Sequence, residues 1–180
     1  VLSRDGRYLA VGSSKGWRQT HILLVPVTGG TSTTVPAAGD IIDEYHFSPD
    51  GKWLAYNSDV SGRQEVYVTR LPGTGERWQV SSDGGVQPRW RRDGRELFYI
   101  AANGSMMSVA IAPGTAFSPL APRRLYSLPE GLGSPILDEY GVTADGQRFL
   151  VAEPIRAGGA APISVIVNWS PPLPRPTRPD

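Results

Sequence analysis

Apolar residues in this chain come in short runs broken by tight polar turns, and they do not recur at helical spacing. Runs such as Leu97-Phe98-Tyr99-Ile100 and Ile22-Leu23-Leu24-Val25 are apolar at consecutive positions, so both faces of an extended strand need cover. A sheet with one face in water would alternate instead. On this pattern strands fall at residues 8–11, 21–25 and 32–35, then at 44–47, 52–56, 65–71 and 77–80. They continue at 86–90, 96–100, 106–111 and 124–128, and end with 138–142, 148–151 and 163–169. Helical periodicity with capping residues is absent. The pattern predicts an all-β chain.

One turn unit recurs between these strands. It reads Ser48-Pro49-Asp50-Gly51 in its clearest copy, with looser copies whose Asp-Gly pairs begin at Asp5, Asp93 and Asp145. The serine, proline, aspartate and glycine suit the four successive positions of a type I turn, and the glycine can turn left-handed as the chain re-enters a strand. The steps between copies are 45, 43 and 52 residues. A period of roughly 40–50 residues carrying several strands marks a β-propeller built of four-stranded antiparallel blades.

Counting strands gives about three and a half blades. Residues 1–36 form a partial blade lacking its inner strand, 37–82 and 83–128 are whole blades, and 129–169 are a partial terminal blade. Residues 170–180 are a proline-rich tail that favours polyproline II or disorder. Closed propellers have 4–8 blades, and an open arc leaves apolar faces in water. The remaining blades are therefore expected upstream in the same parent chain, as partners of these. A tight four-bladed closure is the alternative.

Composition narrows the function classes. A net charge of +1 with scattered basic residues provides no field for nucleic acid. No apolar run reaches the roughly 20 residues of a membrane-spanning helix, so this segment is not expected to insert. With no cysteine and two histidines, neither a disulfide framework nor a structural zinc site is expected, and no cofactor is implied.

The unit Ser48-Pro49-Asp50-Gly51-Lys52-Trp53-Leu54-Ala55-Tyr56 resembles the repeat of TolB-like, WD40-like bacterial propellers, and the likeness spans residues 1–169. The segment 162–169 also resembles the last strand of propellers attached to bacterial serine/threonine protein kinases. The resemblance implies a sensory or protein-binding platform of a larger bacterial protein, placed outside the cytoplasm, with a cytoplasmic site as the alternative. It equally admits a regulatory propeller of a kinase, or one that gates a prolyl-oligopeptidase-like peptidase. The chain itself carries no kinase motif and no Gly-x-Ser-x-Gly nucleophile turn, so it is read as non-catalytic.

Candidate binding residues lie at the blade ends opposite the Asp-Gly corners. Asp43-Glu44-Tyr45 is echoed by Asp138-Glu139-Tyr140, each at the entry of an inner strand beside the central channel. Paired carboxylates there could line a site for a cation or a basic peptide, or could pair between blades with Arg89 or Arg91. A propeller hydrolase or lyase acting through these carboxylates is the remaining alternative. The loops at this end hold Trp17 and Arg18, residue types that dominate interface energetics, together with Arg63. The corner aspartates are read as structural rather than as metal ligands. His46 shares a strand with Glu44 and is followed by Ser48, a row with no reason to form a nucleophile–base pair. A protein or peptide is the expected partner.

Overall fold

The computed structural model describes residues 1–15, 18–35, 42–72, 75–129, 132 and 139–152. Among them lie thirteen strands and no helix. β1 (Tyr8–Lys15), β2 (Arg18–Pro26) and β3 (Thr33–Val35) form a first sheet in that order. β4 (Ile42–Phe47), β5 (Trp53–Ser58), β6 (Glu65–Arg70) and β7 (Arg77–Gln79) form a four-stranded second sheet. β8 (Gly85–Trp90), β9 (Glu96–Ala101), β10 (Ser105–Ala110) and β11 (Arg123–Ser127) form the third. β12 (Tyr140–Val142) pairs with β13 (Phe149–Val151) as the fourth. Every neighbour pair is antiparallel and consecutive in the chain, so each sheet is a meander, the blade of a propeller.

The first sheet differs from the sequence expectation at two places. β1 continues to Lys15, which pairs with Arg18 at the start of β2, so the hairpin runs into what the sequence marks as a loop. A backbone ladder accepts polar side chains, and the register shift between Ser13 and Ser14 re-aims this end of the hairpin. Residues Val1, Leu2 and Ser3 also stand partly where an inner strand would lie. Leu2 bridges Leu9, Ala10 N–H donates to Val1 O at 2.8 Å, and Ser3 N–H donates to Tyr8 O at 2.8 Å.

All four corners close the same way. Ser48 Oγ donates to Asp50 Oδ1 at 2.6 Å and accepts from Trp53 N–H at 3.0 Å, while Asp50 Oδ1 also accepts from Lys52 N–H. Ser3 with Asp5 and Thr143 with Asp145 repeat this box. In the third copy Arg91 replaces the hydroxyl, and its guanidinium binds both Asp93 oxygens at 2.8 and 2.7 Å. The glycines that follow have φ of +70, +71, +73 and +72°, which only glycine adopts without cost. Hydrogen bonds from Ser3 and from Arg91 hold the carboxyls of Asp5 and Asp93 down at about 2, and Thr143 lowers Asp145. These carboxylates are spent on the turns.

The core is three separate layers, one at each junction between sheets. Ala10, Ile22, Leu24 and Val35 meet Ile42, Leu54, Tyr56 and Tyr67 in the first. Ala55, Val66, Val68 and Val80 meet Leu97, Tyr99, Val109 and Phe117 in the second, and Trp53, Trp78 and Trp90 border it. Val86, Phe98, Ile100 and Met106 meet Tyr140, Phe149 and Val151 in the third. Successive residues of β5 and β9 therefore serve alternate layers, which is why those runs are apolar throughout. At about 1.5–3 kcal/mol for each large side chain removed from water, these layers supply most of the drive for stacking.

Candidate functional site

The innermost strands of the second and third blades are bulged at the same place. Register shifts between Asp43 and His46 in β4 and between Val86 and Arg89 in β8, and at each bulge a non-glycine residue turns left-handed. These are Glu44, with φ of 49°, and Gln87, with φ of 56°. Each stands six residues before the Asp of its corner, and Glu139 occupies that position in the fourth blade. Such a conformation costs on the order of 1–3 kcal/mol and persists where its surroundings over-determine it.

Those surroundings are neighbouring blades. Gln87 is fully buried; its Oε1 accepts from Glu139 N–H at 2.9 Å and its Nε2 donates to Glu139 Oε2 at 2.9 Å. Tyr140 Oη donates to Gln87 O at 2.8 Å. On the other side of the third blade, Arg89 Nη2 donates to Glu44 Oε2 at 3.2 Å, and Nη1 donates to His46 Nε2. Trp90 Nε1 donates to His46 O at 3.1 Å, and the Arg89 guanidinium lies 5.6 Å from the centre of the Tyr140 ring. Residues of three blades thus converge around Arg89.

The electrostatics follow from this packing. Burial opposes ionisation of Glu44, but His46 and the Arg89 charge outweigh it and hold the carboxyl below the ordinary range. Burial, with Arg89 adding to it, pushes His46 below the ordinary histidine range against the pull of Glu44. A guanidinium can only donate, so the contact to Nε2 requires a neutral imidazole with its proton on Nδ1. Burial pushes the Tyr140 phenol far above its ordinary value.

The sequence candidates separate in space. Glu44 and Arg89 meet directly, and Glu139 joins through Gln87. Asp43 pairs with Asn57 along the β4–β5 ladder, and Arg18 opens β2. Trp17 and Asp138 lie outside the described residues. Arg63 serves another seam: Nε donates to Glu65 Oε1 at 2.7 Å, and Nη2 to Ser82 O and, at 3.6 Å, toward Asp83. Glu65 is fully buried and also accepts from Gly84 N–H at 3.0 Å and from Ser81 Oγ, which clips the second blade to the strand leading into the third. Sequence reasoning missed Gln87 and Glu65, and weighed His46 only as a catalytic residue. The six-residue offset from the corner was the available signal for Gln87, hidden because one of its three occupants is not acidic. Among the described residues no group of three His, Cys, Asp or Glu side chains is placed to hold a metal ion.

No family model matches the chain. Among solved structures, TolB from Acinetobacter baumannii superposes with a TM-score of 0.61 at 20% identity, over 87% of this chain and 37% of that one. The fold is that of a TolB-like β-propeller. A putative TolB from Agrobacterium tumefaciens matches this propeller with a TM-score of 0.52 at 16% identity, over 67% of this chain and 47% of that one. The periplasmic gluconolactonase of Pseudomonas aeruginosa matches it with a TM-score of 0.50 at 20% identity, over 84% of this chain and 48% of that one. The propeller thus spans less than half the length of each of these structures.

Proposed function

We propose that this propeller is a non-catalytic recognition module of a larger bacterial protein, taking a peptide or protein segment at the channel end of its blades. The observation that carries this reading is the convergence of Glu44, His46, Arg89 and Tyr140 from three blades. Their mutual bonds hold a polar surface in one shape before any partner arrives, which lowers the ordering cost of binding. Glu139 adjoins that cluster through Gln87, and in the sequence reading Asp43, Trp17, Arg18, Arg63 and Asp138 belong to the same end of the blades. An extracytoplasmic setting is part of the reading, as for the periplasmic gluconolactonase, and attachment to a kinase domain follows from the sequence likeness alone.

Selection of displayed peptides against the 180-residue chain tests it. Peptides enriched on the wild type should bind Arg89→Gln at least tenfold more weakly, and should bind Arg124→Ala, on β11 away from the channel, unchanged. Equal binding to both variants, or no enrichment, would overturn the proposal. The enzymatic alternative draws on the gluconolactonase similarity, and it predicts lactone hydrolysis that disappears in Glu44→Gln. A role in gating a peptidase or regulating a kinase predicts an effect of Arg89→Gln on the activity of the attached domain.

A further inference from the structure

Between β7 and β8 the chain crosses from the second blade to the third, and beside this crossing lies a groove of about 690 Å³. Asp83 stands on one wall, and Tyr99, Ala101, Asn103, Met107 and Pro122 form the other. Both sheets that flank it are four-stranded, and the groove has the size of sites that enclose a small ligand. The crossing is held in place. Glu65 accepts from Ser81 Oγ and, at 3.0 Å, from Gly84 N–H, and a Cβ added to Gly84 would lie 2.6 Å from that of Ala102. The Asp83 backbone is thereby held at the rim, with its side chain 96% exposed and Arg63 Nη2 at 3.6 Å, beyond hydrogen-bond length. Across the groove Tyr99 is 3% exposed, yet its phenol oxygen has no hydrogen-bond partner among the described residues. Buried hydroxyls are ordinarily paired. Burial, joined by the charges of Glu65 and Asp83, pushes this phenol up to about 12, so it is uncharged at neutral pH and offers lone pairs to a donor. Two carboxylates, Glu65 and Asp83, face one guanidinium, that of Arg63, so the mouth is negative, while Ala101, Met107 and Pro122 make the wall apolar.

We propose that this groove is a second recognition site, which takes a lysine side chain of a partner peptide: the methylene stem lies along Ala101, Met107 and Pro122, and the ammonium sits between the Asp83 carboxylate and the Tyr99 phenol oxygen. An ammonium only donates, which suits a site whose polar groups are a carboxylate and an unpaired hydroxyl. Its stem covers apolar surface while the charge stays near water, as the open rim at Asp83 allows. A ligand bearing a carboxylate meets repulsion from the same two acids. The peptide class of the partner rests on the reading given above, but the site uses none of Glu44, His46, Arg89 or Tyr140.

The two methionines of the chain make the test direct, because Met107 lines the groove and Met106 is buried in the third layer. Their methyl signals in NMR read the groove and the adjoining core separately. Titration with lysine blocked at both backbone ends should move the Met107 signal saturably and leave Met106 in place. Blocked norleucine, which keeps the stem without the charge, and blocked glutamate should each bind at least tenfold more weakly. Asp83→Asn, on an exposed side chain, and Tyr99→Phe, which keeps the ring, should each weaken blocked lysine by about tenfold, the worth of one hydrogen bond to a charged group. An unmoved Met106 signal shows that each variant is folded. No saturable movement of Met107, norleucine binding as well as lysine, or undiminished binding by either variant overturns the proposal. Arg89→Gln should bind blocked lysine as the wild type does; a loss there would assign the lysine to the channel instead. Failure at Met107 alongside peptide binding that depends on Arg89 would end this proposal and leave the channel reading standing.

Discussion

Replacing Phe98 by alanine removes a ring that is 1% exposed and meets Phe149 edge-on, with centroids 5.1 Å apart and planes at 88°. Its Cζ would lie 3.1 Å from a Cβ placed on Gly146, so the ring also seats the corner of the fourth blade. Emptying a site of this kind costs about 3–5 kcal/mol, a large share of the roughly 5–15 kcal/mol that stabilises a domain. Leu97, one residue earlier, faces the other way, against Ala55, Val66 and Val68, and its alanine variant should cost about 2–5 kcal/mol. In a stack where each unit touches only its neighbours, the two losses should appear in different places. Urea unfolding gives the totals, and amide hydrogen exchange locates them. Phe98→Ala should expose the amides of β12 and β13 first, and Leu97→Ala those along the junction of β5, β6 and β9. Identical exchange patterns for the two variants, or losses below about 1 kcal/mol, would refute packing in separate layers.

Four other outcomes follow from the same geometry. Glu65→Ala leaves buried donors unpaired and should cost about 3–5 kcal/mol by chemical denaturation, whereas Arg63→Ala takes the cation from the buried carboxylate but leaves Gly84 N–H and Ser81 Oγ on it, and should cost about 1–3 kcal/mol. Gly6→Ala should cost about 1–2 kcal/mol for its φ of +70° alone, since nothing lies within 4 Å of its added Cβ. Gly146→Ala should cost more in the same melt, because that Cβ would also sit 2.7 Å from Arg91 Cδ. The folded state depresses His46, Asp5 and Asp93, so the unfolded chain takes up protons first and acid destabilises. Unfolding free energy measured against pH should be full above the ordinary histidine value near 6.5 and fall as His46 protonates. It should fall again from about 4 down to about 2 as Asp5 and Asp93 protonate. Arg89→Gln should raise the His46 pKa in an NMR titration.

The architecture was legible because its causes are local. Asp-Gly corners set where each hairpin turns, and doubly apolar runs such as 97–100 announce strands packed on both faces. The hydroxyl box is visible in Ser3, Ser48 and Thr143, but Arg91 hides the third copy, because a guanidinium performs the same task with different chemistry. The candidate site was legible only in part. Glu44 and Glu139 stood out as acids, yet their partners lie 45 and 52 residues away, across blade junctions that no local pattern encodes. The bulges at Glu44 and Gln87 were invisible for a related reason: neither residue type favours positive φ, and the conformation is imposed by neighbouring sheets. Glu65 looked like the polar start of a strand, although its burial comes from the chain folding back at Ser81 and Gly84.

Cohesion divided among three junctions, each shared by a single pair of sheets, has a mechanical consequence. Tension applied between the two ends would meet those junctions in series, with no central mass to share the load. The weakest seam would part first, releasing one blade's worth of slack, about 40–50 residues, before the next came under strain. A molecule built this way yields in steps, as a zip opens tooth by tooth, and whatever remains stacked keeps its shape while the rest pays out.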